Sequence, residues 1–376
     1  MTVPTLPTVP TLAAGPGLPA GPRNSLLDVA GLSVGHHQRT GEGWLTGTTV
    51  VLADDEGAVA GTDVRGGGPG TRETDLLDPC NLVDRVHAVT LSGGSAFGLA
   101  AADGVMRWLL EQRRGLSLWG EPDHVVPIVP GAVIFDLGRG GDWACTPDAG
   151  FGRAACEAAG ARADIPLLGP HGAGTGGQVG GGLRGGLGTA SAVLPGGATV
   201  AALVVLNAVG STVDPRTGEL YGAPSLVEGD LVLPGLPPRS ALRRPDPEDV
   251  QAWARGLADA APGGPPRTLA TTIGVVATDL TLSEAQSRRL AMSGHDGMAR
   301  AIQPAHTMYD GDTLFGLSTC RRPQADALEL HHALQAAAEV VTRAIVRATL
   351  AAEPVTTPAG TWPSYLGLFP GAVAAG

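Results

Sequence analysis

The chain reads as a mixed α/β or α+β protein built in sandwich layers. Three observations carry this. Hydrophobic residues make up 43% and charged residues 16% of 376, enough to bury a sizeable core. Two β-branched apolar runs, Ala198–Ala208 and Thr271–Asp279, have the length and composition of buried strands. From Thr271 onward the pattern alternates strand, helix, strand, helix, as stacked layers of sheet and helix require.

In chain order, residues 1–21 lack the basic n-region of a signal peptide and are broken by proline, so they read as a disordered or loosely packed tail before a unit spanning 22–376. Asn24–Val34 reads as an opening strand and turn, and Trp44–Ala53 and Ala58–Val64 as paired strands. His87–Leu91 is a short strand, ending in Ser92-Gly-Gly-Ser-Ala-Phe-Gly98 before a helix from Leu99 to Gln112. Val125–Val129 and Ala132–Leu137 read as strands and Gly150–Ala161 as a small helix, while 172–188 is too glycine-rich for a regular one. Asp230–Pro266 reads as a surface connector carrying one helix near Glu248–Ala260. Ser283, with Gln286 at the capping-box position, starts a helix to about Ile302. A turn at Asp310 leads into a strand, and Ala325–Ala351 is a long alanine-rich helix.

Several functions are excluded. The net charge of −11 argues against nucleic acid or an anionic membrane as partner. There is no lysine, so a mechanism that needs a lysine ammonium, a lysine Schiff base or a Walker lysine is excluded. Four scattered cysteines (Cys80, Cys145, Cys156, Cys320) form no CxxC pair and read as reduced, mostly buried thiols of a cytoplasmic protein. No histidine spacing suits a metal, so neither metal nor cofactor is expected.

Two glycine-rich stretches can present backbone amides to a ligand: Val64-Arg-Gly-Gly-Gly-Pro-Gly-Thr-Arg-Glu-Thr-Asp75, and the Ser92–Gly98 turn, which reads equally as an anion cradle or as an ordinary tight turn. Asn207, ending an apolar strand, either caps a turn or points an amide donor into a cleft. A threonine hydroxyl needs a base beside it to act as nucleophile, and no GxSxG or Ser-His-Asp set is present. One solution is a threonine whose own α-amine is the base, exposed when its hydroxyl attacks the preceding carbonyl. Small residues before the bond favour this, as in Leu269-Ala270-Thr271.

Six segments taken in order, Pro22–Val29, Val64–Asp75, Leu91–Gly98, Asn207–Gly210, Thr271–Asp279 and Asp310-Gly-Asp-Thr313, resemble the P1 (S58) peptidases. That group includes the L-aminopeptidase/D-amidase/esterases, the β-aminopeptidases and the nylon-oligomer hydrolase. The resemblance covers about residues 22–350 and implies a four-layer αββα sandwich that cleaves itself between Ala270 and Thr271 into 1–270 and 271–376. It also implies Thr271 as nucleophile, Asn207 as oxyanion support, Asp310 and Asp312 as groups orienting the nucleophile and its amine, a small peptide or amide substrate, and a homo-oligomer of four or more chains. Relatives place Asn or Gly where this chain has Ala270, some use a lysine near 172–188, and the aminopeptidases have a tyrosine near Phe135, so no one relative's substrate carries over. Two alternatives stay open: acyl transfer of the ornithine acetyltransferase type, and an uncleaved sandwich that binds a small ligand.

Overall fold

In the computed structural model, residues 17–121, 123–161, 166–231, 236–259 and 269–374 are described. Most of the expected tail (1–16) and the proline-rich approach to Thr271 (261–268) lie outside the described residues. One sheet holds β1 (Leu32–Gly41), β2 (Trp44–Ala53), β4 (Thr71–Arg72), β6 (Ala88–Ser92) and β7 (Gly131–Val133), in the order β1-β2-β6-β7-β4. The other holds β3 (Ala58–Val64), β5 (Arg85–Val86), β8 (Gly186–Val193), β9 (Thr199–Leu206), β10 (Ile273–Thr278) and β11 (Thr313–Ser318), in the order β8-β9-β10-β11-β3-β5. Helices α1 (Ala101–Glu111) and α2 (Ala149–Gly160) pack on the first sheet. Beyond the short α3 (Pro247–Asp259), α4 (Glu284–Ala301) and α5 (Ala327–Leu350) cover the second.

The strands' period of two explains the layering. On β9, Val200, Ala202, Val204 and Leu206 join the core under α5, whereas Ala201, Leu203 and Val205 join the core between the sheets. On β2, Val51 and Ala53 face that central core, and Val50 and Leu52 pack with Val105 and Leu109 of α1. Three apolar layers thus separate helix, sheet, sheet and helix, the expected αββα sandwich. Ser283 caps α4 in a capping box with Gln286, also as expected.

Several expectations need correction. Residues 26–28 form a 3-10 turn, and the first strand runs on to Gly41 rather than stopping at Val34. Residues 125–129 contribute only the two-residue strand Val125–Val126. Strand β8 begins inside the glycine-rich stretch. A Cβ at Gly188 would lie 2.0 Å from the Ala344 carbonyl oxygen, so glycine there admits α5 against the sheet. Only Cys156 is buried; Cys80 is exposed and Cys145 and Cys320 are intermediate, all four being free. Asp230, expected on a surface connector, is fully buried: its carboxylate takes Arg343 Nη2 at 2.6 Å and Asn24 Nδ2 at 2.8 Å. Arg343 also donates to Asn24 Oδ1, and Arg347 to the Asn24 and Thr189 carbonyls. This buried cluster fastens the 24–28 segment and the 227–230 turn to α5. No helix among the described residues is long and apolar enough to cross a membrane.

Two consequences are measurable. Arg343→Met strands the Asp230 carboxylate without its counter-charge, and chemical denaturation should show a loss of about 3–5 kcal/mol. The second concerns acid. His87 Nδ1 accepts the Ile128 N–H at 3.2 Å, which requires a neutral ring, and burial pushes its pKa down to about 4 from 6.5. Between those values the unfolded chain binds a proton that the fold refuses. This stability is complete above pH 6.5 and falls by roughly 3 kcal/mol as the pH drops to 4. His87→Gln should therefore flatten the pH dependence of thermal unfolding in that window; an unchanged slope would refute the assignment.

Candidate active site

Strand pairing sets the site. In β9 and β10, Val205 lies opposite Ile273, and in the parallel pair β10 and β11, Ile273 lies beside Thr313. Extending both registers by two residues brings Thr271 opposite Asn207 and beside Gly311, at one end of the central strands. The hydrogen bonds agree: Thr271 N–H donates to the Asn207 carbonyl at 2.7 Å, and Gly311 N–H to the Ala270 carbonyl at 3.1 Å. Thr271 is 5% exposed, and its hydroxyl lies 2.6 Å from that same Ala270 oxygen. A Cβ at Gly311 would lie 2.8 Å from Thr271 Oγ1 and 2.6 Å from the Gly68 carbonyl, so the position admits no larger residue without rearrangement.

The Asn207 side chain is fully buried and held from three sides. Its Oδ1 accepts Arg139 Nη1 at 2.6 Å and the Gln178 N–H at 3.1 Å, while Nδ2 donates to the Phe135 carbonyl at 3.3 Å. Arg139 is itself buried beside Asp136 and also donates to the Gly176 carbonyl at 2.5 Å. Burial pushes its pKa down to about 10, with Asp136 opposing the shift, so the guanidinium stays charged at neutral pH. Burial raises Asp136, against the Gly94 N–H that donates to it at 2.6 Å. Arg184, in the glycine-rich stretch 172–188, donates among the described residues to the carbonyls of Thr175, Gly177 and Glu353.

Asp310 and Asp312 are buried beside Thr271, yet among the described residues neither carboxylate bonds to it. Asp312 Oδ1 accepts Thr272 N–H at 2.8 Å, and its Oδ2 accepts His306 Nδ1 at 2.8 Å and His306 N–H at 3.1 Å. Asp310 takes the Val209 N–H at 3.0 Å and both the N–H and hydroxyl of Thr307. Burial, and then the charge of Asp312, raise the Asp310 pKa. The two acids therefore fasten the ends of β9, β10 and the 306–307 turn to one another. His306 packs edge-on against the buried His295, 4.8 Å between ring centres.

The glycine-rich segments behave differently from a ligand cradle. The Arg65 and Gly66 amides donate to the Asp312 carbonyl, Gly67 to Thr307 and Gly68 to Asp310, clamping the acidic turn from outside. In the Ser92–Gly98 turn, the amides of Gly93, Gly94 and Ser95 go to the Gly47 carbonyl, Asp136 and the Ile134 carbonyl; the ordinary-turn reading holds. No local sequence signal marks Arg139, Gln178, His306 or Gly311 individually as part of the site. Only the absence of lysine, which leaves any buried cation to arginine, hinted at Arg139. Among the described residues no group of three or more His, Cys, Asp or Glu side chains is set to hold a metal ion.

The site therefore joins a buried hydroxyl next to a polarised peptide carbonyl, a fixed carboxamide and braced carboxylates, parts suited to acyl chemistry. Comparison with known proteins points the same way. Peptidase family S58 matches residues 24–362. An uncharacterised aminopeptidase of Mycobacterium leprae (strain TN) is 47% identical over 373 residues, spanning 93% of this chain and 96% of that protein. A 6-aminohexanoate-oligomer endohydrolase of Kocuria sp. (strain KY2) is 33% identical over 304 residues, spanning 78% of this chain and 74% of that one. In fold, the L-aminopeptidase D-Ala-esterase/amidase of Ochrobactrum anthropi, a variant of the Ntn-hydrolase fold, has a TM-score of 0.68 at 23% identity, covering 95% of this chain and 98% of that one. A Burkholderia sp. β-aminopeptidase has a TM-score of 0.67 at 22% identity, covering 94% and 93%. The match falls on the peptidase side of the acyl-transfer alternative. The chain belongs to peptidase family S58 and is a hydrolase of amide bonds.

Proposed function

We propose that the chain is a self-processing N-terminal threonine hydrolase of small peptides or amino-acid amides and esters. The observation that carries this is the Ala270 carbonyl, whose oxygen takes the Gly311 N–H at 3.1 Å with the Thr271 hydroxyl 2.6 Å away. In the intact chain the hydroxyl attacks that carbonyl carbon, and Gly311 N–H supports the developing oxyanion. The Thr271 nitrogen leaves protonated, and water hydrolyses the resulting ester. The products are 1–270, ending in a carboxylate, and 271–376, starting with a free amine.

In turnover, the freed α-amine takes the Thr271 hydroxyl proton as the oxygen attacks a substrate carbonyl. Asn207 Nδ2 donates to the oxyanion. The amine passes the proton to the leaving nitrogen, and water releases the acyl group. The Asn207 carbonyl, which receives the Thr271 N–H in the intact chain, keeps the amine oriented. Asp310 and Asp312 act by fixing the strand ends. The substrate class follows the names of relatives, aminopeptidase and 6-aminohexanoate-oligomer endohydrolase. The reading extends, on the family resemblance alone, to a cytoplasmic homo-oligomer of four or more chains.

Intact mass and a denaturing gel should find purified wild-type protein as two pieces cut between Ala270 and Thr271. Thr271→Ala should stay whole and lose at least about a thousandfold in turnover. An uncut wild type, with turnover unaffected in Thr271→Ala, would sink the proposal. Gly311→Ala, crowding Thr271 Oγ1, should slow self-cleavage at least about tenfold in a time course from freshly folded precursor.

A further inference from the structure

We infer that Arg139 is a positioning residue for hydrolysis, holding the Asn207 carboxamide with its N–H groups turned to the reacting carbonyl. The inference rests on the reading of Asn207 as oxyanion donor. An asparagine amide can sit either way round, and only one way leaves a donor for an oxyanion. Here both groups on one side of Asn207 are donors without acceptor capacity: Arg139 Nη1 at 2.6 Å and the Gln178 N–H at 3.1 Å. A flipped amide would set N–H against N–H on that side. The oxygen therefore faces Arg139, and Nδ2 faces the opposite side, where its partner is the Phe135 carbonyl at 3.3 Å.

Arg139 is fixed in its turn. Its Nη1 also meets the Gly176 carbonyl, its N–H closes a turn on Asp136, and its own carbonyl takes the Thr357 hydroxyl at 2.6 Å. It is 7% exposed, so the charge acts on the carboxamide with little screening by water. A cation on Oδ1 draws electron density from Nδ2 and strengthens the N–H groups as donors. Arg139 gains most when the substrate oxygen becomes negative, so its effect should fall on kcat more than on KM.

The test is a double-mutant cycle on fully processed enzyme, reading hydrolysis of L-alanine p-nitroanilide or of whichever L-amino-acid p-nitroanilide the wild type turns over fastest. Asn207→Ala should lower kcat by about 10²–10³-fold. Arg139→Gln should lower it by about 10–100-fold with KM within about threefold, and Arg139→Lys, which keeps the charge, should recover part of that loss. In the Asn207→Ala background, Arg139→Gln should cost less than about threefold more, because the group it acts through is gone. Thermal unfolding confirms that each variant is folded; if Arg139→Gln fails to fold, Arg139→Lys carries the same cycle, with a smaller loss that again vanishes without Asn207. Equal losses from the Arg139 change in both backgrounds, or full kcat in a folded Arg139→Gln, overturn the role of Arg139 while leaving Asn207 standing. Full activity in Asn207→Ala overturns the oxyanion reading, and this inference with it.

Discussion

The pairing of β10 with β9 on one side and β11 on the other governs everything at the site. The first pairing is antiparallel and the second parallel, so both neighbours are in register only if Val205, Ile273 and Thr313 align. That alignment carries Asn207, Thr271 and the 310–312 turn to the same end of the sheet. A slip of one residue would turn Thr271 to the opposite face of the sheet and exchange the two apolar layers against which β10 packs. The site is thus specified by the core. Ile273, Val275 and Ala277 face the central layer and Val276 the helical one, which fixes the register that the chemistry needs.

Polar groups around this end are arranged as braces in successive shells. Asp312 ties Thr272 to His306, Asp310 ties Val209 to Thr307, and the amides of residues 65–68 close over the outside. Carboxylates saturated with donors in this way resist movement more than they invite a ligand. The carboxamide of Asn207 differs, having two protons on Nδ2 and one weak acceptor among the described residues. Rigidity on one side and spare donor capacity on the other is the combination that electrostatic preorganisation requires.

Much of this was legible in the sequence, for reasons that differ by element. Strand β9 follows from an apolar β-branched run, α4 from a capping box and α5 from a long alanine-rich stretch, signals local to each segment. Strand β8 was not legible, because its Gly188 serves contact with α5, a neighbour more than 150 residues away, and its Gly186 lies against the Gly169 backbone. The buried Asp230 was hidden for the same reason, since its partner Arg343 is 113 residues distant. At the site, ordered motifs mark Thr271, Asn207, Asp310 and Asp312, and the fold brings all four together. Of their supports, Gly311 lies inside the Asp310–Thr313 motif, whereas Arg139, Gln178 and His306 come from segments whose local composition says nothing of what they face.

The place of β10 and β11 in the sheet has a consequence for what a broken backbone would mean. Both strands follow residue 270, yet they lie between β9 and β3, which precede it. Helix α5, which also follows residue 270, is fastened by Arg343 and Arg347 to Asp230 and Asn24. A chain opened between Ala270 and Thr271 would be two interlaced molecules, neither of which could leave without unzipping the sheet and uncovering two apolar layers. The topology would make such a chemically irreversible scission mechanically silent: a single position would gain a free end while the architecture around it stayed closed.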